Sequence, residues 1–97
     1  MTEDDYERVR GLVAAVPPGS VTTYGDVAAA AGLPSARMVA TVLRLDGADL
    51  PWHRVVRADG RCAPQVAEEQ LARLRAEGVR AHDGRLDLGR RRHGFDG

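Results

Sequence analysis

Lysine is absent from this 97-residue chain, and cysteine, tryptophan and phenylalanine occur once each. A single thiol, Cys62, excludes an internal disulfide and leaves no second sulfur for a paired zinc site. His53, His82 and His93 are scattered without the i, i+4 pairing of a helical metal site, so neither metal nor cofactor is expected. No run of about 18 apolar residues exists to span a membrane. The opening Met1–Asp5 is acidic where a secretory signal carries positive charge and then an apolar run, so a cytoplasmic protein is the expectation. What the chain does have is 43% hydrophobic and 29% charged residues, a globular balance, and enough length for one core. A single domain over residues 1–97 follows.

The net charge of zero counts at first against a nucleic-acid binder, but the average hides a gradient. Residues 1–36 carry two Arg against five acids, and residues 37–97 carry twelve Arg against nine. The later part is therefore able to face phosphate. Arginine alone suits bidentate phosphate contacts and minor-groove insertion, although a GC-rich genome gives the same bias.

Thr2 and Asp5 have capping-box spacing, and Tyr6, Val9, Leu12, Val13 and Val16 follow at helical intervals, so a first helix is expected over roughly 3–15. Pro17-Pro18-Gly19-Ser20 breaks it, and a short extended Val21-Thr22 comes next. Thr23 opens a second short helix closed by Gly32, and Ser35 caps a third over residues 36–45. Two short helices joined tightly make a helix-turn-helix candidate. Pro51-Trp52-His53 reads as extended or turn, Arg54-Val55-Val56 as a short strand, and Pro64 as the opening of a fourth helix that Gly78 ends. Val79–His82 and Arg85–Leu88, flanking Asp83-Gly84, alternate well enough for a hairpin, a possible wing. The run Arg90-Arg91-Arg92 reads as a solvated basic tail. The expected fold class is mainly α: a winged helix-turn-helix-like single domain with a small β-hairpin.

Three stretches in order, Val21-Thr22-Thr23-Tyr24-Gly25-Asp26-Val27-Ala28, Ser35-Ala36-Arg37-Met38-Val39 and Pro51-Trp52-His53-Arg54-Val55-Val56, resemble the C-terminal domain of the alkylguanine-DNA alkyltransferases. The resemblance covers roughly residues 5–78. The last stretch is the most specific, since the family reads Pro-Cys-His-Arg-Val there and Trp52 stands in place of the cysteine. In that respect the chain is similar to the alkyltransferase-like proteins, a subset with tryptophan at this position and no separate N-terminal domain.

The resemblance implies double-stranded DNA carrying guanine alkylated at its 6-oxygen as the partner, bound in the minor groove with the damaged base flipped out. Alkyl transfer needs a thiolate, and an indole cannot perform the displacement, so a non-enzymatic reader is implied. Indole can instead pack against an extruded base or its alkyl group. Arg37 matches the arginine finger that fills the gap left by the flipped nucleotide, and Tyr24 the tyrosine that presses on its 3′ phosphate. His53 matches the histidine that activates the cysteine in active relatives, and Glu77 is the candidate for its glutamate partner. Small residues Ala36, Ala40 and Thr41 let the third helix approach the sugar edges, and Thr23 and Ser35 are candidate phosphate contacts. Pro51 and backbone groups of Val55 and Val56 are expected around the base pocket. Hand-over to nucleotide excision repair proteins by a monomer is what the resemblance further implies. The loop Asp46-Gly47-Ala48-Asp49 departs from the family, lacking an asparagine and being shorter and more acidic.

Without the motif each residue has an ordinary reading: Trp52 a core anchor, Arg37 a surface charge, Tyr24 a helix-start packing residue, Glu77 a solvent-facing helix end. Two other functions compete. A winged-helix transcription regulator reading undamaged DNA explains the helix-turn-helix but not Pro51-Trp52-His53-Arg54. An alkyltransferase with its nucleophile moved to Cys62 requires a base beside that thiol, and nothing in the sequence places one there.

Overall fold

The computed structural model describes residues 1–95; Asp96 and Gly97, the end of the expected basic tail, lie outside them. Helix α1 spans Glu3–Ala14, strand β1 Thr22–Thr23, α2 Tyr24–Ala31 and α3 Ala36–Asp46. A 3-10 turn over Trp52–Arg54 leads into β2, Val55–Val56, and then come α4, Ala67–Ala76, and α5, Leu88–Arg91. Among the described residues the sheet has two strands, paired in parallel with Thr22 opposite Val55 and Thr23 opposite Val56.

Local chemistry sets the helix boundaries. Thr2 and Asp5 form both halves of the capping box, with Oγ1 accepting from the Asp5 amide at 3.1 Å and the Asp5 carboxylate from the Thr2 amide at 2.9 Å. Thr23 caps α2 through the Asp26 amide at 3.0 Å, and Ser35 caps α3 through the Arg37 amide at 3.1 Å. Gly32 ends α2 in the left-handed region at φ 73°, as a C′ glycine does.

Successive strand residues face opposite ways, so the sheet divides the interior in two. Val55 joins Val9, Val13, Val27, Val39 and Val42 between α1, α2 and α3. Val56 joins Val21, Cys62, Leu74, Val79 and Leu86 under α4. Trp52 belongs to neither group, which removes the core-anchor reading.

Three expectations change. Helix α4 starts at Ala67 instead of Pro64, because Pro64 occupies the second position of a turn closed by the Val66 amide on the Ala63 carbonyl at 3.1 Å. The hairpin contracts to one antiparallel bridge, His82 with Arg85, around Asp83 and Gly84 at φ 52° and 76°. Leu86 is drawn away into the core, where its amide donates to Gly60 O at 2.9 Å, and residues 88–91 turn into α5. Gly60 permits this approach: at φ 82° a Cβ there would lie 2.6 Å from Leu86 O.

The basic run is tied down through Arg91 and Arg92, while Arg90 stays exposed. Val21 N donates to Arg91 O at 2.8 Å and His93 N to Val21 O at 2.7 Å, which lays the segment alongside β1. Arg91 donates to the Gly19 and Gly78 carbonyls at 3.3 and 3.1 Å, and Arg92 grips the Asp26 carboxylate with two bonds of 2.7 Å.

Candidate nucleic-acid interface

The tight Gly32–Ser35 link and the small side chains along α2 hold α3 against α2 with its amphipathic outer face exposed. Val39 and Val42 point inward, while Arg37, Ala40, Thr41 and Arg44 recur at three- and four-residue intervals on the outside. Arg37 and Arg44 are exposed and have no acidic partner among the described residues, so both guanidinium groups are available to phosphate or base edges. Thr41 does not offer its hydroxyl outward, since Oγ1 donates to Arg37 O at 3.0 Å.

A cavity of about 440 Å³ opens beside this face, lined by Tyr24 at the start of α2, Ala40, Leu43 and Arg44 of α3, Trp52, and Ala63, Gln65 and Val66 before α4. Tyr24, Ala40 and Trp52, singled out from three separate stretches of sequence, thus line one concavity of a size suited to a nucleobase and more. Pro51, half-buried, initiates the 3-10 turn that sets the indole there. Ala36 and Ser35 flank the α3 N-terminus, and Thr23 is buried as the α2 cap.

Not every expected residue reaches the cavity. Val55 and Val56 are fully buried with side chains in the two cores, and the Val55 carbonyl is already taken by Gln70 Nε2 at 2.8 Å. The reason is the parallel pairing with β1, which puts both residues at the centre of the molecule. Behind Trp52, His53 Nε2 lies 2.8 Å from Glu77 Oε2. The same carboxylate is held by Arg54, through Nε and Nη2 at 3.0 and 2.6 Å, and Arg54 Nη1 donates to Val16 O at 2.8 Å. Glu77 is therefore a joint between the 3-10 turn and the end of α4.

The Arg54 guanidinium, followed by His53, holds the Glu77 carboxyl down at about 2. An ionised Glu77 accepts, so His53 Nε2 carries the proton and Nδ1, buried and without a hydrogen-bond partner among the protein groups, is left as an acceptor when the ring is neutral.

Two further residues escaped the sequence reading. Gln70 is 1% exposed, and its amide donates to His53 O at 3.0 Å as well as to Val55 O, fixing the turn against α4. A polar side chain on the Ala67-Gln70-Leu71-Leu74 seam was the available signal. The Arg73 guanidinium lies 5.3 Å from the Trp52 ring centroid while bonded to Glu69 at 2.7 Å, a cation–π contact that orients the indole. Cys62 is buried in the second core, and burial pushes its thiol pKa up, the opposite of what a nucleophile needs. A larger depression of about 690 Å³ between Leu12, Ala29 and the Arg92–Phe95 segment holds none of the expected site residues.

Known proteins are similar to this chain in sequence and in fold. The chain is 46% identical over 101 residues to the DNA base-flipping protein of Escherichia coli K12, covering 96% of this chain and 78% of that protein. It is 33% identical over 84 residues to alkyltransferase-like protein 1 of Schizosaccharomyces pombe, covering 79% and 78%. The crystal structure of that S. pombe protein with damaged DNA containing O6-carboxymethylguanine superposes with a TM-score of 0.86 at 28% identity, over 96% of this chain and 97% of the other. A Mycobacterium tuberculosis O6-methylguanine methyltransferase variant superposes at 0.62 and 28% identity, over 92% of this chain but 55% of its own. Residues 4–79 match the family described as "6-O-methylguanine DNA methyltransferase, DNA binding domain", and to that family the chain belongs.

Proposed function

We propose that this protein binds duplex DNA through its minor groove, turns out guanine alkylated at the 6-oxygen, and holds it beside Trp52 without removing the alkyl group. One observation carries the reading: the indole of Trp52 lines a cavity bordered by Tyr24 and α3; the motif resemblance matches Trp52 to the family's cysteine. Arg37, exposed on α3 and unpaired among the described residues, supplies the finger that fills the emptied stack, and Tyr24 presses on the phosphate of the displaced nucleotide. His53 and Glu77, with no thiol to activate, serve to hold the turn that carries Trp52.

Retaining the lesion makes the protein a marker instead of an enzyme. It acts as a cytoplasmic monomer, and the bound duplex passes to nucleotide excision repair. The regulator reading is weakened by the loss of its wing, which is reduced to a turn packed on Gly60.

The test compares two duplexes differing by one methyl on a guanine 6-oxygen, followed by mass spectrometry of protein and DNA. Tighter binding of the methylated duplex with both masses unchanged supports the proposal. Equal binding favours the regulator, and a methyl on the protein removes the claim that no transfer occurs.

A further inference from the structure

Arg57 stands outside the motif residues, yet the register of the sheet places it beside Tyr24. Thr22 pairs with Val55 and Thr23 with Val56, so the next step along both chains brings Tyr24 and Arg57 together as each leaves its strand. From there Tyr24 enters α2, and Arg57 enters a tight turn in which its amide donates to Arg61 O at 2.9 Å. The Arg57 side chain is exposed and forms no salt bridge among the described residues, unlike Arg54, Arg61, Arg73 and Arg92. Burial raises the pKa of the Tyr24 hydroxyl, nearby Cys62 adds to the rise, and the Arg57 charge opposes it.

Resting on the proposed base-flipping reading, we infer that Arg57 is a second contact to the DNA phosphodiester, neutralising the backbone next to the phosphate that Tyr24 presses upon. Pressing a phosphate out of line moves a charge, and a fork of N–H donors beside the tyrosine stabilises it in the displaced position. A phosphate contact carries no base information, so it strengthens binding to damaged and undamaged duplex alike.

The experiment is the salt dependence of affinity for the methylated and unmethylated duplexes, with Arg57→Gln, Arg57→Lys and a control, Arg75→Gln. Arg75 is also exposed and without an ion-pair partner among the described residues, but it sits two positions beyond Arg73 and borders Leu71 and Val79, on the flank of α4 away from Trp52. Loss of one phosphate contact lowers the slope of log K against log salt by about 0.9. Between roughly 50 and 200 mM salt the variant's affinity then changes about 3.5-fold less than that of the unaltered protein. Arg57→Gln is expected to show this on both duplexes with their affinity ratio unchanged, Arg57→Lys to restore the slope, and Arg75→Gln to leave it as it was. An unchanged slope in Arg57→Gln, or an equal loss in Arg75→Gln, overturns the assignment. If the unaltered protein binds both duplexes equally, lesion reading fails while the slopes still decide the role of Arg57.

Discussion

Replacing Glu77 by glutamine keeps the shape of the joint between α4 and the Trp52–Arg54 turn while removing its charge. Arg54 is then left with the Val16 carbonyl as its firm acceptor, its side chain only 14% exposed. The Glu77 carboxyl, 16% exposed, sits at about 2 against an ordinary 4.5. At about 1.4 kcal/mol per tenfold, that difference corresponds to roughly 3 kcal/mol of stability. Because the glutamine oxygen still accepts one bond, the expected cost of Glu77→Gln is about 2–3 kcal/mol.

The pH dependence has a definite sign. Above pH 4.5 the carboxyl is ionised folded and unfolded, and the full contribution is present. Between 4.5 and 2 the unfolded chain takes up the proton first, so stability falls as pH falls. Urea denaturation at neutral pH and at several points below 4.5 reads both effects. A midpoint lowered at constant slope, together with a flatter acid limb than that of the unaltered protein, is expected. A loss under about 0.5 kcal/mol, or parallel acid limbs, refutes the idea that Glu77 ties the turn to α4 by charge.

Gln70→Leu leaves the His53 and Val55 carbonyls without their donor and is expected to cost about 2–3 kcal/mol, read by thermal melting; a neutral outcome shows the two bonds to be expendable. Arg37→Ala is expected to weaken duplex binding and to reduce the methylated-to-unmethylated affinity ratio, and an unchanged ratio removes it from the finger role. Tyr24→Ala is expected to lower the fluorescence of a reporter base placed at the lesion, since the base stays stacked; equal fluorescence with the unaltered protein contradicts that role. Gly60→Ala, with a Cβ 2.6 Å from Leu86 O at φ 82°, is expected to destabilise by more than about 1 kcal/mol, and an unaffected melting temperature refutes the packing argument.

Local rules were legible wherever both partners lie a few residues apart. Thr2, Thr23 and Ser35 cap the helices they precede, and Gly32 stops α2, because caps are settled by neighbours. The reduced hairpin and the anchoring of Arg91 and Arg92 were not legible because their fate is decided far away in the chain. Leu86 pairs with Gly60 instead of extending a hairpin, and Arg91 and Arg92 find acceptors at Gly19, Gly78 and Asp26. In the site, the motif resemblance singled out Tyr24, Arg37, Trp52, His53 and Glu77, of which the structure brings Tyr24 and Trp52 to one cavity and joins His53 to Glu77. It could not show that Val55 and Val56 are consumed by the cores, that Gln70 braces the turn, or that the sheet register sets Arg57 beside Tyr24.

Trp52 is the sole tryptophan of the chain, so its intrinsic fluorescence reports on the cavity alone. Titration with a duplex carrying one 6-oxygen-methylated guanine is expected to change that emission strongly, the unmethylated duplex weakly, and an excess of unlabelled methylated competitor is expected to displace the complex and leave a protein of unaltered mass. Identical emission with both duplexes contradicts a flipped base beside Trp52, and a protein that stays modified after the chase contradicts binding without transfer.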